Sequence, residues 1–251
     1  MKTCLYIFFC LSLLLLSNNK EDKKEALIIN YTHSTHIEGL PSRTTVASTL
    51  ISNDKFSLYE MDYLNNKNLI DEEDNEEGQV FLSIRTSSNP YIFKDLSNKT
   101  MYSTERIGVK PFLVKDSTKI FNWILTKVKK KILNFNCQQA KVNYRGRNYT
   151  AYFTTEINFK SGPWKFSDLP GTILEIKSDD NVFEIIANKV QILNKETNIV
   201  SPYKNLNEAI SWEEFTLKYK KKYNELLSYR DENNVTMSIP KKKIEVFIEE
   251  D

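Results

Sequence analysis

The sequence predicts a mainly β fold, in which an antiparallel meander forms a curved sheet or an open barrel with one amphipathic C-terminal helix packed on it. From residue 25 onward, short runs rich in aromatic and β-branched residues alternate with period two. Turn signals such as Arg145-Gly146-Arg147 join these runs at a spacing of roughly 8–12 residues, which is typical of antiparallel sheets. Because no helical pattern separates the strands, a parallel α/β fold is disfavoured.

The predicted strands follow one another with little intervening sequence. In order they are 26–32, 43–51, 56–61, 79–86, 90–94, 110–115, 121–126, 138–144, 148–154, 172–177 and 182–193. In the run 148–154, Tyr149, Ala151 and Phe153 share one face, as expected for a strand with one buried side. The basic clusters at 127–131 and 241–243 are typical of turns or sheet edges, where positive charge discourages pairing with other chains.

One helix is predicted near the C-terminus. Ser211 and Glu214 form a capping box, with Ile210 and Phe215 in the positions of a hydrophobic staple. An apolar stripe follows at three- and four-residue steps, formed by Trp212, Phe215, Tyr219, Tyr223 and Leu226. After Pro240, the residues 244–248 are predicted to form a final extended segment.

The N-terminus resembles a secretory signal peptide. Lys2 precedes an apolar run at 5–16 and a polar stretch at 17–20, and twelve residues of helix span about 18 Å, too short to cross a bilayer. We therefore expect a signal peptide at 1–19 and a single β-rich domain at 20–251 in an exported protein, either periplasmic or outer-membrane-associated/extracellular. An uncleaved anchor or a lipoprotein is the alternative, although Cys10, inside the apolar run and preceded by Phe9, does not suit a lipid-modified cysteine. No second apolar run approaches 18 residues, so no transmembrane segment is expected after cleavage.

Composition excludes several classes of function. The 35 basic and 33 acidic residues give a net charge of +2, so no nucleic-acid partner is expected. The two histidines, His33 and His36, point to opposite faces of a strand, and no metal or other cofactor is predicted. Cys137, which alone remains after cleavage, is predicted to be a buried structural thiol. The acidic stretch at 71–77 is interpreted as a solvated loop.

Glu175 and Glu184 are the one pair of carboxylates that suggests catalysis. Two carboxylates on neighbouring strands can stand about 5–9 Å apart, as glycoside hydrolysis requires. A hydrolase acting on peptide or glycan is therefore the alternative function, although a sheet of this size places several such pairs together by chance. We predict no catalytic residues.

The most distinctive sequence lies between residues 120 and 190. It contains in order Trp123, Cys137, Arg145-Gly146-Arg147, Gly162-Pro163 and Leu169-Pro170-Gly171. This series resembles the GLPGLI family of exported Bacteroidota proteins, named after the six-residue motif that 168–173 matches in part. Asp168 stands where the motif has its first glycine, and Thr172 where it has its second leucine.

The resemblance implies a β-rich envelope protein without an established activity. Genes of such proteins often accompany outer-membrane transport receptors, and the family is distantly similar to the non-catalytic, bowl-shaped accessory domain of a bacterial N-glycosidase. We therefore expect an exported non-enzymatic binding or scaffold protein of the bacterial envelope. Its expected partner is an unknown envelope ligand or an outer-membrane receptor.

The Leu-Pro-Gly motif allows two interpretations. Pro170 and Gly171 suit the central positions of a type II turn, with Gly171 at positive φ, so the motif can be a structural corner. Alternatively, the turn exposes apolar side chains in a concave binding site, where two arginines bind a carboxylate or phosphate of a ligand. The candidate ligand-binding residues are Arg145, Arg147, Trp164, Phe166, Leu169, Pro170 and Gly171.

Overall fold

The computed structural model describes residues 25–36, 43–65, 88–195, 197–230, 238–240, 244–245 and 247. The expected signal peptide at 1–19, the acidic stretch at 71–77 and the predicted strand at 79–86 lie outside the described residues.

In the part of the chain that the structure describes, twelve strands form one sheet, and one α-helix follows them. They are β1 (Ala26–Thr35), β2 (Thr44–Ser52), β3 (Phe56–Met61), β4 (Tyr91–Asp95), β5 (Thr100–Ile107), β6 (Lys110–Ser117), β7 (Ile124–Ile132), β8 (Phe135–Tyr144), β9 (Arg147–Thr154), β10 (Thr172–Ser178), β11 (Phe183–Leu193), β12 (Ile210–Ser211) and α1 (Trp212–Leu227). The strand order is β12-β6-β5-β4-β3-β2-β1-β11-β10-β9-β8-β7, and every pair except β12-β6 is antiparallel. The predicted fold class, an antiparallel sheet with one C-terminal helix, is confirmed.

The connection between β6 and β7 requires the sheet to curl strongly. In the sheet order, β6 is next to one end and β7 is at the other. In a flat sheet these strands would lie about 48 Å apart, at about 4.8 Å per strand. Residues 118–123, which join them, reach about 25 Å at most when fully extended. The two ends of the open sheet therefore approach each other around a concave interior.

Most strands lie close to their predicted positions, and β3 matches its prediction at both ends. The sequence did not reveal β5, because Met101, Tyr102 and Ser103 are all buried and the strand lacks clear alternation. The strand predicted at 121–126 begins later, at Ile124, because Phe121 packs in the core instead of pairing. As expected of its lysines, β7 is a terminal strand that pairs with β8 alone among the described strands.

The helix α1 forms as its cap predicts. The Ser211 hydroxyl accepts a hydrogen bond from the Glu214 amide at 3.1 Å. Phe215 and Tyr219 are fully buried and pack with Ile107 and Val114, which anchors the helix at the β5–β6 end of the sheet. Among the described residues, no helix combines the length and apolar character needed to cross a membrane.

The concave interior is filled by the connection between β9 and β10, residues 155–171, which we call the inner segment. The ammonium group of Lys94 on β4 donates to the carbonyls of Gly162 and Phe166, at 2.9 and 2.5 Å. Ser57 on β3 contacts Ser161 at 3.2 Å, and the Trp123 indole donates to Ser167 O at 2.9 Å. The inner segment is thus bonded to β3, to β4 and to the connection that precedes β7.

His33 on β1 is buried and neutral at physiological pH. Its Nδ1 lies 3.2 Å from the Tyr59 hydroxyl, and its ring packs edge-on against Phe183 at a centroid distance of 5.0 Å. Burial lowers the pKa of this imidazole to about 3. His36, just beyond the end of β1, is exposed, so the two histidines do not share a site.

Acid is expected to destabilise the protein through His33. The imidazole is protonated near pH 6.5 in the unfolded chain but only near pH 3 in the folded one. The contribution of the neutral imidazole to the free energy of unfolding is therefore fully present above pH 6.5. Below that pH it is lost by about 1.4 kcal/mol for each pH unit. When the pH is lowered from 7 to 4.5, the free energy of unfolding should fall by about 2.5 kcal/mol less in His33→Phe than in wild type. Chemical denaturation at the two pH values measures this difference. The same substitution at exposed His36 should keep the wild-type acid response, and equal losses in both variants would contradict the prediction.

Candidate functional site

The structure buries most of the apolar side chains that the sequence placed in a binding site. Trp164, Phe166 and Leu169 are 5%, 0% and 1% exposed. The expectation that the Pro-Gly bend exposes them is therefore wrong, because the inner segment folds into the concave side and buries its aromatic area there. Such burial stabilises the fold by about 2–3 kcal/mol per large side chain. Of this group, Pro170 is exposed.

The bend itself differs from the predicted type II turn. Gly171 does not adopt a positive φ. Glycine is required there for another reason, because an added Cβ would lie 2.1 Å from the carbonyl oxygen of Thr154. The left-handed residue is Asp168, at φ 72° and at the position where the GLPGLI motif has its first glycine. Aspartate is among the residues that tolerate this region best, and its carboxylate pairs with Lys119.

The two arginines flank a tight hairpin between β8 and β9. Tyr144 and Arg147 are cross-strand partners, and the residues between them, Arg145 and Gly146, have φ values of 47° and 77°. Positive φ at both central positions is the signature of a type I′ turn, which matches the twist of the flanking strands. The hairpin directs Arg145 towards β6 on the opposite end of the sheet, where its guanidinium pairs with Asp116.

Five charged side chains meet where the two ends of the sheet approach. We call this set the charge cluster: Glu105, Asp116, Arg145, Lys165 and Glu245. The Lys165 ammonium group lies 2.8 Å from Glu105 and 2.5 Å from Glu245. Glu245 also accepts hydrogen bonds from Arg145 and from the Tyr144 hydroxyl, the latter at 2.9 Å. The cluster thus links β5, β6, the β8–β9 hairpin, the inner segment and the C-terminal residues.

Lys165 and Glu245, the two most deeply buried members of the charge cluster, stay ionised. The side chains of Lys165 and Glu245 are 2% and 3% exposed. Burial alone would raise the pKa of Glu245, but Lys165 and Arg145 outweigh it and hold the pKa below its usual value. Burial likewise opposes the charge of Lys165, but Glu105 and Glu245 raise its pKa. The cluster can therefore hold a carboxylate in its anionic form.

Aromatic rings and a backbone contact continue this site along the C-terminal residues. The Arg145 guanidinium stacks on the Trp212 ring, 3.2 Å from its centroid. Phe247 stacks on Tyr219 of α1 at a centroid distance of 4.4 Å. Arg147, which pairs with Asp180, donates from Nε to the carbonyl of Ile244 at 3.0 Å. The described residues 244, 245 and 247, which we call the tail, are therefore held by a carboxylate site, an aromatic site and a backbone hydrogen bond.

The predicted carboxylate-binding role of the arginines has a partial counterpart in these contacts. Both guanidiniums bind carboxylates, but the partners belong to this chain. Sequence reasoning missed Lys165 and Glu245, although each is a charged residue inside an apolar run, Trp-Lys-Phe and Ile-Glu-Val-Phe. Such a pattern indicates a buried charge, which requires a partner. Whether any of the seven predicted residues binds an external ligand remains a prediction.

The carboxylates considered for catalysis lie on adjacent strands as diagonal neighbours on one face of the sheet, not as a directly opposite pair. Glu175 is opposite Ile186, and Glu184 is opposite Lys177. Each has a lysine partner: the distance from Glu175 to Lys130 is 2.6 Å, and that from Glu184 to Lys177 is 3.7 Å. Cys137 is buried as predicted, and burial raises the pKa of its thiol to about 11.

Comparison with known proteins reveals similarity at the level of the fold. No protein-family profile and no curated protein sequence matches the chain. Among solved structures, PNGF-II in a P21 crystal form matches with a TM-score of 0.52 and 15% identity, over 79% of this chain and 34% of the PNGF-II chain. PNGF-II in a C2 crystal form gives a TM-score of 0.50 at 15% identity, over 79% and 32%. This chain thus spans about a third of the length of the PNGF-II structures that it matches.

Proposed function

We propose that the chain is an exported, non-enzymatic binding or scaffold protein of the bacterial envelope, with an envelope protein or an outer-membrane transport receptor as its partner. The observation that supports this function best is the filled concave side. The inner segment occupies the space in which a bowl-shaped sheet would hold a small ligand, with Phe166 fully buried at its centre. Partners are then expected to bind the outer surfaces of the protein and the chain segments that lie on these surfaces.

The state of the charged side chains also supports a binding protein over a hydrolase. A general acid and base must exchange a proton with substrate or water. Glu175 and Glu184 are instead each engaged by a lysine, and Glu245 is enclosed by three donors. These carboxylates serve the fold as ion-pair partners.

Affinity capture combined with a turnover assay tests the proposal. A tagged full chain incubated with a solubilised envelope fraction should retain a defined protein saturably, and an outer-membrane barrel among the retained proteins would identify the receptor class. Glu175→Gln should retain the same protein as wild type, as should the control Glu213→Gln at an exposed position of α1. Turnover of envelope peptides or glycans that disappears in Glu175→Gln at an unchanged melting temperature would replace the proposal with a hydrolase.

A further inference from the structure

The tail contacts the rest of the protein through a backbone carbonyl, a carboxylate and an aromatic ring, as a bound peptide contacts its receptor. Ile244 offers a backbone carbonyl to Arg147, Glu245 places its carboxylate between Arg145 and Lys165, and Phe247 enters an aromatic site. The aromatic site consists of three side chains at the start of α1: Trp212, Phe215 and Tyr219, whose ring centroids lie 5.7, 5.9 and 4.4 Å from that of Phe247. The recognised chemistry is a carboxylate followed two residues later by an aromatic ring.

The receptor side of this site belongs entirely to the body of the protein. Arg145 is held by the type I′ hairpin and Lys165 by the inner segment, whereas the aromatic residues are held by α1. Residues 228–243 separate the end of α1 from the tail. Because the described residues of the tail pair with no strand, the tail can leave without moving any element that forms the site.

Without Glu245, the two cations and two carboxylates that remain in the charge cluster balance each other. Arg145 keeps Asp116 as a partner, and Lys165 keeps Glu105. Two cations and two carboxylates therefore stay paired within the body, which avoids the large cost of leaving a buried charge without a partner. Departure of Glu245 exposes two donors and the Tyr144 hydroxyl, which are arranged to receive another carboxylate.

We propose that this site is the peptide-binding site of the protein and that the tail is a displaceable ligand in cis. The external ligand is a segment of an envelope partner protein that carries a carboxylate residue two positions before an aromatic residue. This inference rests on the proposed binding function and names the partner chemistry that the function uses. Because the tail is covalently attached, it competes at an effective concentration in the millimolar range and keeps the site closed to weak ligands.

A labelled peptide of residues 240–251 tests the site by fluorescence anisotropy. The receptors are the full chain, the full chain with Glu245→Lys, and a chain that ends at Pro240. Lysine at 245 places a third cation beside Arg145 and Lys165, so the tail should leave the site. The peptide should bind both altered chains at least tenfold more tightly than wild type. Peptides with Glu245→Gln or Phe247→Ala should lose at least tenfold of that affinity.

A matched control separates displacement of the tail from a general change in charge. Glu225→Lys makes the same charge reversal at an exposed position of α1 and should bind the peptide as weakly as wild type. Equal binding to wild type, Glu225→Lys and Glu245→Lys, or no binding to the folded altered chains, would overturn the inference. Concentration-dependent dimers that excess peptide dissolves would assign the site to the tail of a second copy and would overturn the choice of partner.

The failure of this inference can be distinguished from failure of the proposed function. Excess tail peptide should release the captured envelope protein if that protein uses this site. An envelope protein that is retained and resists release would leave the binding function standing and remove the assignment of this site. If the wild-type chain retains no envelope protein, the proposed function fails, whatever the peptide does.

Discussion

Gly171→Ala is expected to destabilise the protein by about 3 kcal/mol or more, the upper range for inserting a group into a packed site. An alanine Cβ would stand 2.1 Å from Thr154 O and 2.7 Å from Thr154 C, and neither backbone atom can rotate away as a side chain would. To accommodate it, the end of β9 or the start of β10 must shift, which breaks their pairing. Urea denaturation followed by tryptophan fluorescence measures the loss.

Two other glycines provide graded controls for the same substitution. At Gly162 the new Cβ meets the Ile173 Cδ1 at 2.7 Å and the Phe166 carbonyl oxygen at 2.9 Å, so the loss should be smaller, because one of these atoms can move. At Gly108 nothing lies within 4 Å, but φ is 57°, so only backbone strain of about 1 kcal/mol is expected. A loss at Gly171 no larger than at Gly108 would show that the inner segment does not contact β9 as described.

Phe166→Ala is expected to lower the free energy of unfolding by about 3–5 kcal/mol. The ring is fully buried, with centroids 4.8 Å from Tyr149 and 5.4 Å from both Phe121 and Trp164. Its removal leaves a cavity in the centre of the curled sheet, where the surrounding strands are too well paired to collapse. Denaturation curves at pH 7 measure the effect.

A matched leucine pair tests the same interior with a smaller side chain. Leu169→Ala in the inner segment should cost about 2–5 kcal/mol, whereas Leu217→Ala on α1, where the leucine is 70% exposed, should change stability by less than about 0.5 kcal/mol. If Phe166→Ala and Leu169→Ala both kept wild-type stability, the interior would not be filled, and the interpretation of 164–171 as an open ligand site would regain support.

Local patterns made much of the sheet predictable, because a strand with one buried face must alternate in sequence. Tyr149, Ala151 and Phe153 are buried on one face of β9 as the sequence indicates, and the capping box placed the start of α1. The sequence did not predict strand β5 because three consecutive residues of it are buried, so its buried and exposed positions do not alternate. The strand β7 starts later than predicted because Phe121 packs in the core, and its lysine-rich part beyond residue 126 was not predicted because it lacks a regular apolar alternation.

The candidate site could be predicted only in part. Arg145 and Arg147 were identified because they flank Gly146 in a predicted tight turn. Their partners Asp116, Asp180 and Glu245 lie far away in sequence. A local sequence pattern does not predict ion pairs between such distant residues. For the same reason the sequence left open whether Trp164 and Phe166 face a ligand or the core.

The order of residue types by itself determined the antiparallel strands, the capped helix and the burial of Cys137, because each depends on periodicity, capping chemistry or polarity within a few residues. Tertiary structure decided how far the sheet curls, that the inner segment fills it, and that Lys165 and Arg145 enclose the carboxylate of Glu245. These features depend on which distant segments share one space. Packing and electrostatic pairing decide which distant segments meet, and both arise only when the chain folds.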